Sequence, residues 1–219
     1  MEIGATVSEG KVFYVYSYLL NQCSRWCDEH EANIIRRVRE IVSRGSVFID
    51  VGAAFGLWSI KFSDRFGLVI ALEPDPRSYA LLVKNVAENM LTNVIPMRFA
   101  AHSYPTTLYM CLDEPPLNCR VHSSRPRGCR RVVEIDAVPV DYVANLVTRK
   151  IDLLKIDVEG AEKTVLRGAS VTIEYERPIV VVETKEFVED IEGYLRCLGY
   201  SVEKHKYLDA VYIIGVSRR

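Results

Sequence analysis

Four short apolar runs, each ending in a carboxylate, constrain the fold of this chain more than any other feature. They are Val47-Phe48-Ile49-Asp50, Val69-Ile70-Ala71-Leu72-Glu73, Leu153-Leu154-Lys155-Ile156-Asp157 and Ile179-Val180-Val181-Val182-Glu183. Read as neighbouring parallel strands, they place four acids along one edge of one sheet. Ligands of open α/β sheets bind in the crevice outside that carboxyl edge. The expected site is acidic and suits a cationic ligand.

The segments between the runs carry helical signals. Ile34, Ile35, Val38, Ile41 and Val42 recur at helical spacing within Glu29 to Ser43, and Gly45 follows as a stop. A second helical stretch covers Trp58 to Phe62. Asp75 reads as the N-cap of a third helix, with Pro76 at its first position and Tyr79, Leu82, Val83 and Val86 on its inner face. Gly160 to Leu166 is helical, and Gly168 closes the turn after it. A helix from about Phe187 to Leu198 precedes Tyr200 to Lys204 and Val211 to Val216, two strands so close in sequence that they must pair antiparallel. The pattern is doubly wound α/β. One long irregular region, Asp113 to Arg131, interrupts it, and loops of that length in compact domains are functional or disordered.

A length of 219 residues with 49% hydrophobic and 26% charged residues fits one large globular domain with an N-terminal extension. The boundary is read as an extension over residues 1–30, packed on a domain over residues 31–219. A net charge of −1 gives no electrostatic case for nucleic acid. The apolar stretch Val12 to Leu20 is too short to span a bilayer and lacks the flanks of a signal peptide, so a soluble, cytoplasmic chain with no membrane partner is expected. The aromatic run Val12, Phe13, Tyr14, Tyr16 and Tyr18, with Trp26, is read as a core helix; an extra edge strand, a lid or a homodimer contact are its alternatives. Six cysteines in such a chain are expected as thiols. Cys23, Cys27 and His30 lie on an expected helix without the second pair that zinc requires. A bond between Cys119 and Cys129 would restrain the loop that they bracket, but separate thiols are the preferred reading.

The sharpest motif is Asp50-Val51-Gly52-Ala53-Ala54-Phe55-Gly56, between a strand and a helix. Glycines there let the backbone turn tightly and approach a ligand. Glu73, about twenty residues on, ends the next strand, where an acid accepts both hydroxyls of a ribose. Together they indicate an adenosine-type cofactor. A dinucleotide would bring a pyrophosphate to the turn, beside Asp50, and the usual third glycine is missing. S-adenosylmethionine carries no phosphate, and its ammonium and sulfonium are attracted by a carboxylate rim. The methyl donor fits better than NAD.

Val47 to Gly56, Leu72-Glu73-Pro74, and above all Asp152-Leu153-Leu154-Lys155-Ile156-Asp157-Val158-Glu159-Gly160-Ala161-Glu162 with Leu166-Arg167-Gly168-Ala169 resemble the FkbM family of methyltransferases. The likeness runs from about Glu31 to Glu183 and, more loosely, to the C-terminus. It implies a class I methyltransferase, Rossmann-like α/β fold: seven strands, mostly parallel, in the order 3-2-1-4-5-7-6, with the last antiparallel. It also implies methyl transfer from S-adenosylmethionine, typically to oxygen. Carried onto this sequence, it has Gly52, Ala53 and Gly56 line the methionine part and Asp50 orient its amino group, directly or through water. Glu73 would hold the ribose hydroxyls, Phe99-Ala100-Ala101 would pass the adenine with Ala101 as a contact, and Asp157 would stand where donor and acceptor meet.

A hydroxyl acceptor must lose a proton, and Asp157, Glu159, Lys155 and His102 are the candidates to take it, with Asp157 favoured. Glu159 and Glu162 have an alternative role at a helix start, and Lys155 as their ion-pair partner. Asp157, Glu159 and Glu183 together are also a conceivable Mg²⁺ set, though carboxylates at strand ends can serve the cofactor instead, and no metal is assigned. Val158-Glu159-Gly160 stands where methyltransferases of exocyclic base nitrogens carry a Pro-Pro-Tyr segment. Arg120, Arg125, Arg127, Arg130 and Arg131 would suit an RNA backbone or an anionic acceptor; a solvated loop is preferred. The expected acceptor is a small molecule or carbohydrate. The rival readings are an inactive cofactor-binding subunit, an RNA-directed enzyme and an NAD-dependent enzyme.

Overall fold

The computed structural model describes residues 2–18, 20, 31–113, 115–116 and 119–218. The expected helix with Cys23, Cys27 and His30, and Trp26, fall outside these residues. The central sheet has seven strands, β3 (Gly45–Val51), β4 (Phe66–Leu72), β5 (Val94–Met97), β10 (Ile151–Ile156), β11 (Ile179–Thr184), β12 (Tyr200–Tyr207) and β13 (Ala210–Ser217). Their spatial order is β12-β13-β11-β10-β3-β4-β5. Numbered within the sheet this is 3-2-1-4-5-7-6, and only β13 runs antiparallel to β11. Among the described residues, no helix is long and apolar enough to cross a membrane.

Each face of the sheet is covered by its own apolar layer. Phe48, Val69, Leu153 and Val181 pack with Ile34, Ile35 and Val38 of α1 (Ala32–Ile41), Trp58 of α2 (Leu57–Lys61) and Leu82 and Val86 of α3 (Pro76–Glu88). Val47, Ile49, Ile70, Leu154 and Val182 pack on the other face. There they meet α4 (Val140–Ala144), α5 (Glu162–Gly168), the short π-helix Thr172–Glu176 and α6 (Val188–Cys197). Alternate residues of one strand thus enter opposite layers, as strand geometry dictates. Burying each large side chain contributes about 1.5–3 kcal/mol. The α3 cap forms as its sequence predicts, with Asp75 accepting from the Arg77 backbone N–H at 2.8 Å ahead of Pro76.

Three expectations need correction. The N-terminal aromatic run is not a core helix: β1 (Ile3–Ser8) and β2 (Lys11–Tyr16) form an antiparallel hairpin. Strict alternation put Phe13 and Val15 inward and made the strand the better solution. The hairpin is held by α3. Asn85 Oδ1 accepts from the Tyr14 N–H at 2.6 Å while its amide donates to the Tyr14 carbonyl at 3.0 Å. Asn89 does the same for Val12, at 2.9 and 2.7 Å.

The second correction lies between β5 and β10. In place of a simple alternation stands a four-stranded sheet of β6 (Ala100–Ala101), β7 (Thr106–Cys111), β8 (Val121–His122) and β9 (Val132–Val138), in the order β6-β9-β7-β8. The supposedly irregular loop contributes β8 to it. The third concerns the cysteines. Cys129 is bonded to Cys111 at the end of β7, not to Cys119, across 18 residues. β7 and β9 are paired neighbours, with Cys111 opposite Val132, so the fold brings Cys129 back to Cys111.

Candidate active site

The carboxyl edge of the sheet carries two rows of residues rather than one. Ile156 pairs with both Val51 and Val182, and Val51 with Leu72. One residue beyond them, Gly52, Glu73, Asp157 and Glu183 form the outer row. Asp50 stands two residues short of it, directly opposite Lys155 and Ala71. The apolar runs end at different depths, so the first acid is buried beneath the other three.

The inner row is a buried charge pair. Asp50 is 0% exposed and Lys155 3%. Asp50 Oδ2 accepts from the Ser59 hydroxyl at 2.6 Å, and its other oxygen lies 3.8 Å from Lys155 Nζ. Lys155 Nζ continues to Asp157 Oδ2 at 3.1 Å and the Gly52 carbonyl at 3.4 Å. The acids Asp157, Asp50, Glu31 and Glu183 outweigh burial and raise the lysine pKa, so Lys155 stays a cation and cannot serve as a base. It ties the first strand to the fourth.

The outer row opens into a cavity of about 340 Å³. Gly52, Ala53, Ala54, Phe55, Glu73, Ala101, Asp157, Glu159 and Glu183 line it, and Asp50 does not. Gly52 is required by backbone geometry: its φ is +77°, and a Cβ there would lie 1.8 Å from the Asp157 carbonyl oxygen. Gly56, also at positive φ, faces away from the cavity, where a Cβ would meet Leu82 of α3 at 2.7 Å. Glu73 is held by two backbone N–H groups, Ala54 at 2.8 Å and Asp75 at 2.8 Å. Burial outweighs them and pushes its pKa up to about 8.

The far side of the cavity is built from charged side chains. Glu159, at φ +50°, pairs with Lys185 at 3.5 Å. Glu183 pairs in register with Tyr212 and receives its hydroxyl. Burial, with Asp157 and Glu31 nearby, pushes Glu183 up to about 8. Glu162 instead accepts the Gly160 N–H at 2.7 Å and closes the turn into α5. Asp157, Glu159 and Glu183 do not converge as metal ligands do; among the described residues the one such cluster is Cys111, Asp113 and Cys129, whose sulfurs are joined. His102 lies outside the cavity wall, on the second sheet. That sheet lends Ala100, Met110 and Val121 to the wall, and the turn after Tyr207 adds Leu208 and Asp209.

Sequence reasoning missed Glu31, Trp58 and Tyr212. Glu31 lies just before α1 and accepts the indole N–H of Trp58. A hydrogen bond across 27 residues has no local signal.

A family model for the methyltransferase FkbM domain matches residues 50–202. The chain belongs to the FkbM methyltransferase family. No curated protein matches the sequence. Among solved structures it is similar to the methyltransferase FkbM from Methylobacillus flagellatus KT, with a TM-score of 0.54 and 16% identity over 78% of this chain and 43% of that one. A tRNA m1G37 methyltransferase from M. jannaschii gives a TM-score of 0.54 and 15% identity over 99% and 57%. M. capricolum TrmK, solved with S-adenosylhomocysteine, gives 0.53 and 11% over 85% and 68%. This FkbM-family chain thus spans less than half the length of the first of these and shares their fold.

Proposed function

We propose that this chain transfers a methyl group from S-adenosylmethionine to a hydroxyl of a small-molecule or carbohydrate acceptor. The observation that carries the reading is Glu73. Its carboxylate faces the cavity at the end of β4, fixed by two backbone N–H groups, where each oxygen keeps a lone pair for a ribose hydroxyl. The wall beside it fits the same ligand: Gly52 and Ala53 on the methionine side, and Phe99 with Ala101 on the adenine side. Gly56 acts through the packing of the turn rather than by contact.

When bound, S-adenosylmethionine supplies a methyl group already activated by a sulfonium. The protein's task is then alignment, exclusion of water and removal of one proton. Asp157, at the centre of the outer row, accepts the acceptor's proton. Lys155 orients it through their 3.1 Å ion pair. Glu159, paired with Lys185 at the rim, contacts the acceptor.

Titration with S-adenosylhomocysteine tests the donor half. Glu73→Ala should weaken binding by about 1–3 kcal/mol, the cost of a lost charge-assisted hydrogen bond. Unchanged affinity removes the ribose assignment. Release of S-adenosylhomocysteine with a panel of hydroxyl acceptors tests the other half, and binding without turnover on any acceptor would favour an inactive cofactor-binding subunit. An RNA acceptor is the second reading, favoured by five exposed guanidiniums between Arg120 and Arg131 beside the cavity. The net charge of −1 weighs against it.

A further inference from the structure

The cavity holds acids to which the reading above gives no role, Glu31 among them. Glu31 lines it, and the indole N–H of Trp58 fixes its carboxylate. Trp58 is itself 2% exposed and stacked on Phe62 at 5.4 Å, so the acid is anchored by a ring that cannot move freely. Trp58 also lies two residues beyond Gly56. That brings Glu31 next to the glycine turn, on the methionine side of the cavity.

Glu31 shares its nearby cation, Lys155, with other acids. Lys155 directs its ion pairs to Asp50 and Asp157, and among the described residues no cation pairs with Glu31. Burial, with repulsion from Asp157 and Asp50, raises the Glu31 pKa against the attraction of Lys155 and the Trp58 hydrogen bond. Asp50 is absent from the cavity wall, and its Oδ2 already holds the Ser59 hydroxyl. A cation bound beside the turn would supply Glu31 with the ion-pair partner that Lys155 does not.

We infer that Glu31, held by Trp58, is the residue that receives the α-ammonium of the methyl donor, the role that the sequence alone gives to Asp50. The inference rests on the donor assignment proposed above. It extends the binding site to a residue ahead of the stretch that the family model covers.

Calorimetry with three ligands tests it. They are S-adenosylhomocysteine, its analogue lacking the α-amino group, and methylthioadenosine, which lacks the amino-acid part. Glu31→Gln keeps an oxygen for the Trp58 indole, and circular dichroism checks its fold. It should bind S-adenosylhomocysteine roughly 5- to 30-fold more weakly and methylthioadenosine within about twofold of wild type. Equal affinity for S-adenosylhomocysteine, or a parallel loss for both ligands, would overturn the inference.

Wild type supplies a measurement that does not depend on variant folding. It should prefer S-adenosylhomocysteine to the deaminated analogue by at least about fivefold. Equal binding overturns the inference as well. Asp50→Asn should keep that preference, and its loss there would return the role to Asp50. Wild type that binds neither adenosyl amino acid defeats the donor assignment itself, and this inference with it.

Discussion

The two halves of the cavity are built by different means. On the donor side the decisive contacts are made by backbone: the Gly52 turn against Asp157, and two N–H groups on Glu73. On the side proposed for the acceptor they are made by side chains to one another, with Lys185 on Glu159 and Tyr212 on Glu183. Backbone contacts follow from strand register, whereas side-chain contacts between distant segments can change without changing the sheet. A scaffold of this kind holds its donor in a fixed frame and leaves acceptor choice to a replaceable wall.

The contrast can be broken most severely at Gly52. Gly52→Ala places a Cβ against the Asp157 backbone at positive φ, and should cost more than about 4 kcal/mol, read as loss of the cooperative thermal transition. Lys155→Met comes next, because it leaves Asp50 and Asp157 without their cation. A destabilisation of about 3–5 kcal/mol in urea is expected at neutral pH, shrinking as the pH falls and the acids protonate. Cys129→Ser acts on the second sheet, outside the cavity wall. It should cost about 3 kcal/mol through the freed loop while leaving S-adenosylhomocysteine affinity within about twofold.

A further test reads the pH dependence. Glu73 and Glu183 hold their protons up to about 8 in the folded, ligand-free protein and release them at ordinary carboxylate pKa values when unfolded. The native state then binds more protons between those limits, so stability falls as pH rises across them. The melting temperature of the apo protein should be lower at about pH 8.5 than at about pH 6. Glu183→Gln should flatten that slope in part, and a slope of opposite sign would contradict the buried state of both acids.

What the sequence made legible follows the same division. The apolar runs predict β3, β4, β10 and β11, the closing antiparallel pair predicts β12 and β13, and Gly52 and Glu73 line the cavity. The position of Asp50 was not legible, because aligning four runs by their last residue ignores register, and Asp50 stands two residues below the row of the other three acids, on the same face of the sheet but beneath the cavity floor. The second sheet was obscured by short strands around a loop rich in Pro, Gly and Arg. Cys111–Cys129 depends on the pairing of β7 with β9, which no local spacing shows. Glu31 was read only as part of a helix, since its partner Trp58 is fixed by tertiary packing.

Asn85 and Asn89 on α3 give each of two β2 residues an acceptor and a donor. A side-chain amide presents the same pair of groups as a peptide unit, so one face of a helix completes the ladder where another strand would otherwise sit. That edge of the hairpin is closed to strand addition by any other chain, a safeguard against edge-to-edge aggregation written into two side chains four residues apart.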